Sequence, residues 1–293
     1  MCVLFHIFLG ALSVITVCGN LLVIISINYF KQLHTPTNTL ILSLAVADLL
    51  VGVIVFPLTI EFPISVCRFH NNLICQFRSI IDLSLCTSSI LNLCCISVDR
   101  YYAVCRPLIY RAKINDRAAR VMILVSWGLS VLIALGFIIV GTVRVACGMN
   151  CLGNVVIANI FGLIFSFYLP VIIMLFIYLK IFFVAQRQAR SIQSMKSRGT
   201  VGRLESKATK TLAIVMGVFL ICWLPFFLSM TVMSFSQIYM PVAFLETLNW
   251  LALANSLLNP FIYGFFYRWF RSAFRMIISG KIIQGDFTNS KLL

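Results

Sequence analysis

Two carboxylates lie within long apolar stretches of the sequence, where a charged side chain is rare. Asp82 lies in RSIIDLSLCT and Asp48 lies in LSLAVADLLVG. A charged residue at the centre of a bilayer costs about 2.5 to 3.5 kcal/mol on insertion scales, so a retained one indicates a function. A primary amine is a cation at pH 7, and a carboxylate in low dielectric holds it through charge-assisted hydrogen bonds. Asp82 is therefore a candidate cation-binding residue; the alternative is a structural partner for another polar group.

Asp48 belongs to a set of polar residues that recur inside apolar stretches. Unpaired polar groups in the membrane interior cost several kcal/mol each, so we expect these residues to contact one another. The expected cluster consists of Asp48, Ser89, Asn255 and Asn259. It can hold a small cation such as Na⁺, or it can be a structural network of hydrogen bonds, and the two are compatible. Beyond Na⁺ at Asp48, we expect no metal and no cofactor.

The composition places these residues in a membrane protein. Hydrophobic residues make up 61% of the 293 residues, charged residues only 11%, and the mean hydropathy is +1.03. Soluble domains contain roughly 45 to 50% apolar residues. The net charge of +15 could suit nucleic acid, but here the basic residues fall between apolar stretches rather than on a soluble face. We therefore expect membrane lipid as a partner and no nucleic acid.

Seven apolar stretches are each long enough for the roughly 17 to 25 residues of a membrane-spanning helix. Numbered spans one to seven, they are Val3–Ile27, Thr37–Glu61, Asn72–Val104, Arg117–Gly141, Val155–Val184, Ala208–Phe235 and Pro241–Phe266. The predicted fold is an all-α seven-transmembrane helix bundle. After span seven, YRWFRSAFRMII is typical of a short amphipathic helix in the membrane interface. We expect residues 1–278 to form one domain that includes this helix, and 279–293 a short cytoplasmic tail.

The lysine and arginine residues predict the orientation of the bundle. Of the 23, all but Arg68, Arg78 and Arg144 lie at or beyond the end of an odd-numbered span. The positive-inside rule then places these loops and the C-terminus in the cytoplasm. We expect a multi-pass protein of the plasma membrane with its N-terminus outside the cell.

This orientation places four cysteines on the extracellular side, where oxidation is permitted. They are Cys67, Cys75, Cys147 and Cys151. We expect a disulfide between Cys75 and either Cys151 or Cys147.

Seven motifs occur in order along the chain. They are GNLLV in span one, LAVAD in span two, SVDRYYAVCRPLIY after span three, Trp127 in span four, Pro170 with Tyr178 in span five, FLICWLPFF in span six and NPFIY in span seven. Together they resemble a rhodopsin-like G-protein-coupled receptor over essentially the whole chain. Four longer stretches resemble the trace amine-associated receptors, in particular type 1 and its fish relatives: SINYFKQLHTPTN, ISVDRYYAVCRPL, KTLAIVMGVFLICWLPFF and FFYRWFRSAFRMIISGKIIQ.

The resemblance implies that Asp82 is the counter-ion of a small protonated amine. Asp82 precedes Asp99 by 17 residues, or about 25 Å of helix. If Asp99 marks the cytoplasmic surface, Asp82 lies near the outer end of a hydrocarbon slab about 30 Å thick. Aromatic side chains around it would favour both cations and aromatic rings. The expected ligand-binding residues are Asp82, Leu83, Cys86, Ser166, Trp223, Phe226, Phe227, Trp250 and Leu253.

The resemblance also implies a switch at the cytoplasmic end. An arginine held between two acids, here Arg100 between Asp99 and Glu205, is a lock with two states. Pro225 removes a backbone hydrogen bond and gives span six a pivot. The expected switch residues are Asp99, Arg100, Tyr178, Glu205, Pro225 and Tyr263. Opening would free Arg100 for a heterotrimeric G protein, which the resemblance implies is stimulatory and raises cyclic AMP.

The sequence departs from the amine receptors at several positions. Leu253 stands where these receptors commonly place a tyrosine beside the counter-ion, and Arg68 stands where the first extracellular loop usually has a tryptophan. Gly162 and Leu163 occupy positions that often carry polar or acidic groups, which leaves Ser166 as the expected polar contact. A second carboxylate is absent there, which argues against a diamine ligand.

Other classes of protein remain as alternatives. A receptor for a non-amine ligand, or a silent receptor, is the main one because of Leu253. An ion-coupled transporter would also retain Asp48 and Asp82, but the sequence has no internal repeat and no matching pair of broken helices. An enzyme would need a nucleophile and base or metal ligands, and the three histidines lie near span ends; no enzymatic activity is expected.

Overall fold

The structure is a computed structural model that describes residues 2–64, 67, 73–147, 159–194, 201–236, 240–280, 285 and 287–288. For 2–3, 5, 140–147, 188–194 and 201–213 it describes the backbone alone.

The described chain is helical throughout, because apolar residues fill long stretches in which all backbone hydrogen bonds must be made within the segment. The helices are α1 Cys2–Tyr29, α2 Pro36–Leu50, α3 Phe56–Glu61, α4 Leu73–Cys105, α5 Pro107–Lys113, α6 Asp116–Cys147, α7 Leu169–Ser194, α8 Val201–Ser236, α9 Val242–Phe266 and α10 Arg268–Ile278. A π-helical turn, Val51–Val55, joins α2 to α3, and another, Ile164–Tyr168, leads into α7. The predicted all-α bundle is confirmed.

Within the described residues, six helical segments are long and apolar enough to cross a membrane. They are His6–Tyr29, Pro36–Glu61, Leu73–Cys105, Asp116–Ile139, Asn159–Arg187 and Ile214–Ser236. The seventh predicted span is α9, which has 25 residues but falls outside this set. Its three asparagines, Asn249, Asn255 and Asn259, lower its hydropathy, and all three are buried within the bundle.

The ends of two helices follow from local sequence. Thr35 caps α2: its side chain accepts a hydrogen bond from the backbone N–H of Asn38 at 3.3 Å, and Pro36 occupies the first turn. α10 follows α9 after one extended residue, Tyr267, and buries Trp269 and Phe270 while its arginines face outward. The predicted short amphipathic helix after span seven is confirmed.

Two main apolar cores hold the described helices together, and a third, small cluster joins α4 to α7 around Ile177 and Ile181. The larger lies between α2, α4, α7, α8 and α9 and includes Phe167, Phe219 and Leu253. The smaller packs α10 against the ends of α1 and α2 through Phe30 and Trp269. Many large apolar side chains on the outside of the bundle are exposed, which suits contact with lipid rather than water. The helices thus bring their polar residues inward, where the candidate sites lie.

Candidate functional site

Asp82 lies on α4 in one half of the bundle, which we call the Asp82 half. Its carboxylate accepts a hydrogen bond from the Cys86 thiol, one turn along the helix, at 3.2 Å. Asp82 is partly exposed and Cys86 is buried. A carboxylate whose one described donor is this weak one retains lone pairs for a ligand. Leu83, also partly exposed, follows Asp82 on α4.

Arg78 lies one turn before Asp82 on α4. The sequence predicted only the side of the membrane on which Arg78 lies. Only 5% of the residue is exposed. One of its terminal nitrogens donates to the hydroxyl of Thr59 on α3 at 3.4 Å, and its Nε, which is fully buried, has no hydrogen-bond partner. The four-residue spacing from Asp82 in the sequence was the signal for this neighbour, because such residues share a helix face.

Stacked aromatic rings, which we call the aromatic wall, lie in the same apolar core as Cys86, the hydrogen-bond partner of Asp82. Phe227 lies at the centre: its ring stacks on that of Phe167 at 4.1 Å, and the rings of Trp223 and Phe226 lie 5.9 and 5.7 Å away. Trp223 and Phe227 are buried, and Phe226 is partly buried. The sequence reasoning included three of these four residues and missed Phe167.

The remaining expected ligand-binding residues lie in or next to the same core. Trp250 of α9 lies edge-on to Phe56, with ring centroids 5.5 Å apart. Ser166 is buried within the π-helical turn, next to Phe167. Leu253 is buried in the larger core and has no polar atom to offer to Asp82. Among the described residues, Cys86 is therefore the side chain that hydrogen-bonds Asp82.

Asp48 is at the centre of a buried polar cluster. Its carboxylate accepts hydrogen bonds from the hydroxyls of Ser89 at 3.0 Å and Ser256 at 2.7 Å, and from the amide of Asn259 at 2.7 Å. Asn255, which precedes Ser256 in the sequence, is also buried. Its amide nitrogen makes no hydrogen bond within the described chain. Ser256, which the expected cluster did not include, thus bonds directly to Asp48, whereas no described hydrogen bond joins Asn255 to Asp48.

This cluster has the donor atoms that a hard cation requires. Such ions prefer oxygen ligands, and Asp48, Ser89 and Ser256 bring carboxylate and hydroxyl oxygens together. A hydroxyl rotates so that its lone pairs face either a cation or a neighbouring donor. The residues therefore fit a small cation such as Na⁺.

The opposite end of the bundle, which we call the Arg100 end, holds a charged network around Asp99. The Nε of Arg100 donates to the Asp99 carboxylate at 2.8 Å, and a second nitrogen of the same guanidinium completes the ion pair. Thr37 and Tyr110 donate to the same carboxylate at 3.0 and 2.9 Å. Arg100 also donates to Thr37 at 2.7 Å. Asp99 is completely buried, and four polar groups from three helices meet there.

Tyr110 lies outside the membrane-spanning segments, on α5. Burial, together with the neighbouring Asp99, raises the pKa of Tyr110 above its usual range. Its hydroxyl therefore remains protonated at neutral pH and donates to Asp99. The sequence did not predict the roles of Tyr110 and Thr37. Neither residue type indicates a particular partner, and Thr37 lies 62 positions from Asp99 in the sequence.

The other switch residues are held in fixed places. The Tyr178 hydroxyl accepts a hydrogen bond from Ser97 at 3.0 Å. Tyr263 packs in the smaller core, with its ring 5.9 Å from that of Tyr267. Pro225 lies inside α8. Glu205 lies on α8, but its side chain is outside the described part of the chain, so its expected pairing with Arg100 stays a prediction.

Cys75 forms a disulfide with Cys67, with the sulfur atoms 2.09 Å apart. This contradicts the expected pairing of Cys75 with Cys151 or Cys147. The Cα atoms of Cys67 and Cys75 lie 5.4 Å apart, within the usual range for a disulfide. Orientation shows which cysteines share a side of the membrane, but not which of them meet. Cys151, the side chain of Cys147 and Arg68 lie outside the described residues.

The fold and these sites define a class of protein. A bundle of membrane-length helices with an Asp–Arg ion pair at one end and a partly exposed carboxylate in the other half is typical of a membrane receptor. The family described as "7 transmembrane receptor (rhodopsin family)" matches residues 19–263. The chain therefore belongs to the rhodopsin family of seven-transmembrane receptors, whose members are receptors rather than enzymes.

Known relatives narrow this class. The chain is 42% identical to trace amine-associated receptor 4 of Mus musculus, with 99% of this chain and 89% of the relative covered. It is 41% identical to trace amine-associated receptor 1 of Mus musculus, with 94% and 89% covered. For trace amine-associated receptor 1 of Homo sapiens the identity is 40%, with 94% and 88% covered. The resemblance to the trace amine-associated receptors is thus confirmed.

Proposed function

We propose that this chain is a plasma-membrane receptor for small protonated amines, with Asp82 as the counter-ion of the ammonium group. The observation that carries the proposal is the state of Asp82: a partly exposed carboxylate, inside a membrane-length helix, whose described hydrogen-bond donor is a thiol. A thiol is a weak donor. An ammonium group supplies both the missing donors and the opposite charge, which makes it the best-matched ligand for this carboxylate.

The aromatic wall supports the same ligand class. Rings such as those of Trp223, Phe226 and Phe227 attract a cation over their faces and pack against an aromatic or aliphatic ligand body. Leu253 adds no hydrogen bond to the carboxylate, so the ligand must supply more of the donors itself. This favours a primary ammonium, which has the most N–H groups, over more substituted amines.

Ligand binding in the Asp82 half would act on the Arg100 end through α8. We propose that a ligand in contact with Trp223 favours outward movement of α8 about Pro225, which separates it from the Asp99–Arg100 network. Arg100 is then released toward a heterotrimeric G protein, proposed as stimulatory, on the cytoplasmic side. The N-terminus is proposed to be extracellular, in line with the positive-inside rule.

The Asp48 cluster is proposed as a Na⁺ site that favours the resting form. A cation there would neutralise Asp48 and tie α2, α4 and α9 together through the residues that already contact this carboxylate. A ligand that stabilises the active form would then compete with Na⁺ through the shared equilibrium.

A cyclic AMP assay tests the proposal. Cells that express the wild type, Asp82→Ala or Glu61→Gln would be exposed to a panel of primary amines, with responses normalised to surface expression. Glu61 is the matched control because it is an exposed carboxylate of α3. We expect amines to raise cyclic AMP in the wild type and in Glu61→Gln but not in Asp82→Ala. Equal amine potency in Asp82→Ala would overturn the role of Asp82.

A further inference from the structure

Arg78 is a buried cation for which the described structure provides little compensation. Its residue is 5% exposed, and Nε has no hydrogen-bond partner. The single described hydrogen bond of the guanidinium, to Thr59, is long at 3.4 Å. A guanidinium carries several N–H donors and cannot be deprotonated in proteins, and an unpaired buried charge is costly. Such a group needs a partner from elsewhere.

Asp82 compensates this charge only from a distance, without a direct ion pair. The two residues are four apart on α4 and share a helix face, yet no ion pair joins Arg78 to a carboxylate within the described chain. An arginine that precedes an acid by four residues is in the less favourable order for an intrahelical pair. The Asp82 half therefore presents a cation and an anion side by side, four residues or roughly 6 Å apart along the axis.

The position of Arg78 excludes two ordinary explanations. It is one of the few basic residues outside the loops that the positive-inside rule favours, so topology does not account for it. It is also buried rather than spread over an exposed surface, so attraction to lipid headgroups does not account for it either. A guanidinium beside a cation-binding carboxylate instead suits an anionic group of the ligand itself, in the bidentate geometry that arginine forms with carboxylates.

We propose that the ligands of this receptor are small zwitterions, with an ammonium group at Asp82 and a carboxylate at Arg78. The proposal rests on the proposed function of Asp82 and specifies its ligand class. In an α-amino acid both charged groups are attached to one carbon. A ligand in one position beside α4 can therefore place its ammonium at Asp82 and its carboxylate at Arg78. Its side chain then faces the aromatic wall formed with Trp223 and Phe227. The charge of Arg78, which would repel a simple amine, becomes a specificity determinant.

Three ligands that differ in one group test whether the carboxylate of the ligand contributes to binding. The probes are phenethylamine, phenylalanine and phenylalanine methyl ester: all three carry the ammonium and the ring, and only phenylalanine carries a negative charge. Binding is read from the thermal unfolding of the purified full-length receptor in detergent, and signalling from cyclic AMP in cells. The variants are Arg78→Gln, which removes the charge, and Arg78→Lys, which retains it.

The wild type should bind phenylalanine roughly ten- to a hundredfold more tightly than its methyl ester, as one charge-assisted interaction warrants. Arg78→Gln should remove that preference and leave phenethylamine as tight or tighter, while Arg78→Lys should retain part of it. A wild type that prefers phenethylamine and the ester, with the same order in Arg78→Gln, would overturn the zwitterion proposal.

The same data separate this proposal from the proposed function. If phenethylamine binds the wild type but not Asp82→Ala, and phenylalanine does not bind, then Asp82 is the counter-ion and only the assignment of Arg78 fails. If Asp82→Ala leaves the binding of every probe unchanged, both proposals fail. If the Arg78 variants fail to fold, the comparison of phenylalanine with its ester in the wild type alone still decides the proposal.

Discussion

Tyr110→Phe is the sharpest perturbation of the switch, because it removes one hydroxyl and little else. That hydroxyl donates to Asp99 at 2.9 Å and lies 3.0 Å from the Thr37 hydroxyl. Without it, the Asp99 carboxylate loses one of the groups that hold it in place for Arg100. The resting form should therefore lose stability relative to the form in which Arg100 is released.

The size of the shift toward the active form follows from the loss of one hydrogen bond to a charged group. Such bonds contribute about 1.5 to 3 kcal/mol, and the partial exposure of Tyr110 favours the lower figure. A difference of about 1.4 kcal/mol changes an equilibrium tenfold. If the active form is populated at about 1%, within the roughly 0.1 to 10% typical of minor states, Tyr110→Phe should raise it to about 10%.

Ligand-free cyclic AMP accumulation, normalised to surface expression, measures this population. Tyr102→Phe is the matched control, because the Tyr102 hydroxyl makes no hydrogen bond with the described residues. We expect basal signalling to rise about tenfold in Tyr110→Phe and to stay unchanged in Tyr102→Phe. Basal signalling equal to that of the wild type, or an equal rise in both variants, would refute the role of the Asp99 network.

Three further outcomes are expected. Asp48→Asn should abolish any dependence of amine affinity on Na⁺ concentration, measured by ligand binding in Na⁺ and in choline buffers. Leu253→Tyr should raise amine potency up to about tenfold, because a phenol beside Asp82 adds a hydrogen bond to the charged carboxylate; unchanged potency would place position 253 away from the ligand. Cys75→Ser should make Cys67 reactive toward a membrane-impermeant maleimide on intact cells, whereas an unreactive Cys67 would contradict their disulfide.

Much of the fold could be predicted from the sequence, because a bilayer imposes a simple length requirement on apolar helices. Six helical segments meet that requirement on composition alone. The seventh is less apolar because it carries polar residues that the bundle buries. The apolar stretch Pro241–Phe266 still predicted the helix by its length, and the motif NPFIY within it agreed with that prediction.

The contents of the polar cluster were harder to predict. Adjacent residues on a helix differ by about 100° in direction, so small shifts in helix phase decide whether Asn255 or Ser256 reaches Asp48. Similarly, Ser166 and Phe167 are neighbours, yet both are buried. The π-helical turn that contains them changes the direction of the side chains relative to a regular helix, and the sequence did not reveal it.

Contacts between distant parts of the chain were the least predictable. The partner of Cys75 depends on loop geometry, and the hydrogen bond of Thr37 to Asp99 depends on how α2 lies against α4. Arg78 differs from these cases: its spacing from Asp82 was visible, but its burial was not. Only the contact of Arg78 with Thr59 of α3 and its low exposure show that this arginine is enclosed.

The central claim is that Asp82 binds the ammonium group of the ligand. Its most direct test is the affinity of the purified wild type and Asp82→Asn for phenethylamine, a substitution that retains shape and removes charge. Loss of one partner of a close charge pair costs about 2 to 5 kcal/mol, so we expect Asp82→Asn to bind at least about thirtyfold more weakly while its unfolding temperature without ligand stays near that of the wild type. Equal affinity in the two proteins would contradict the claim.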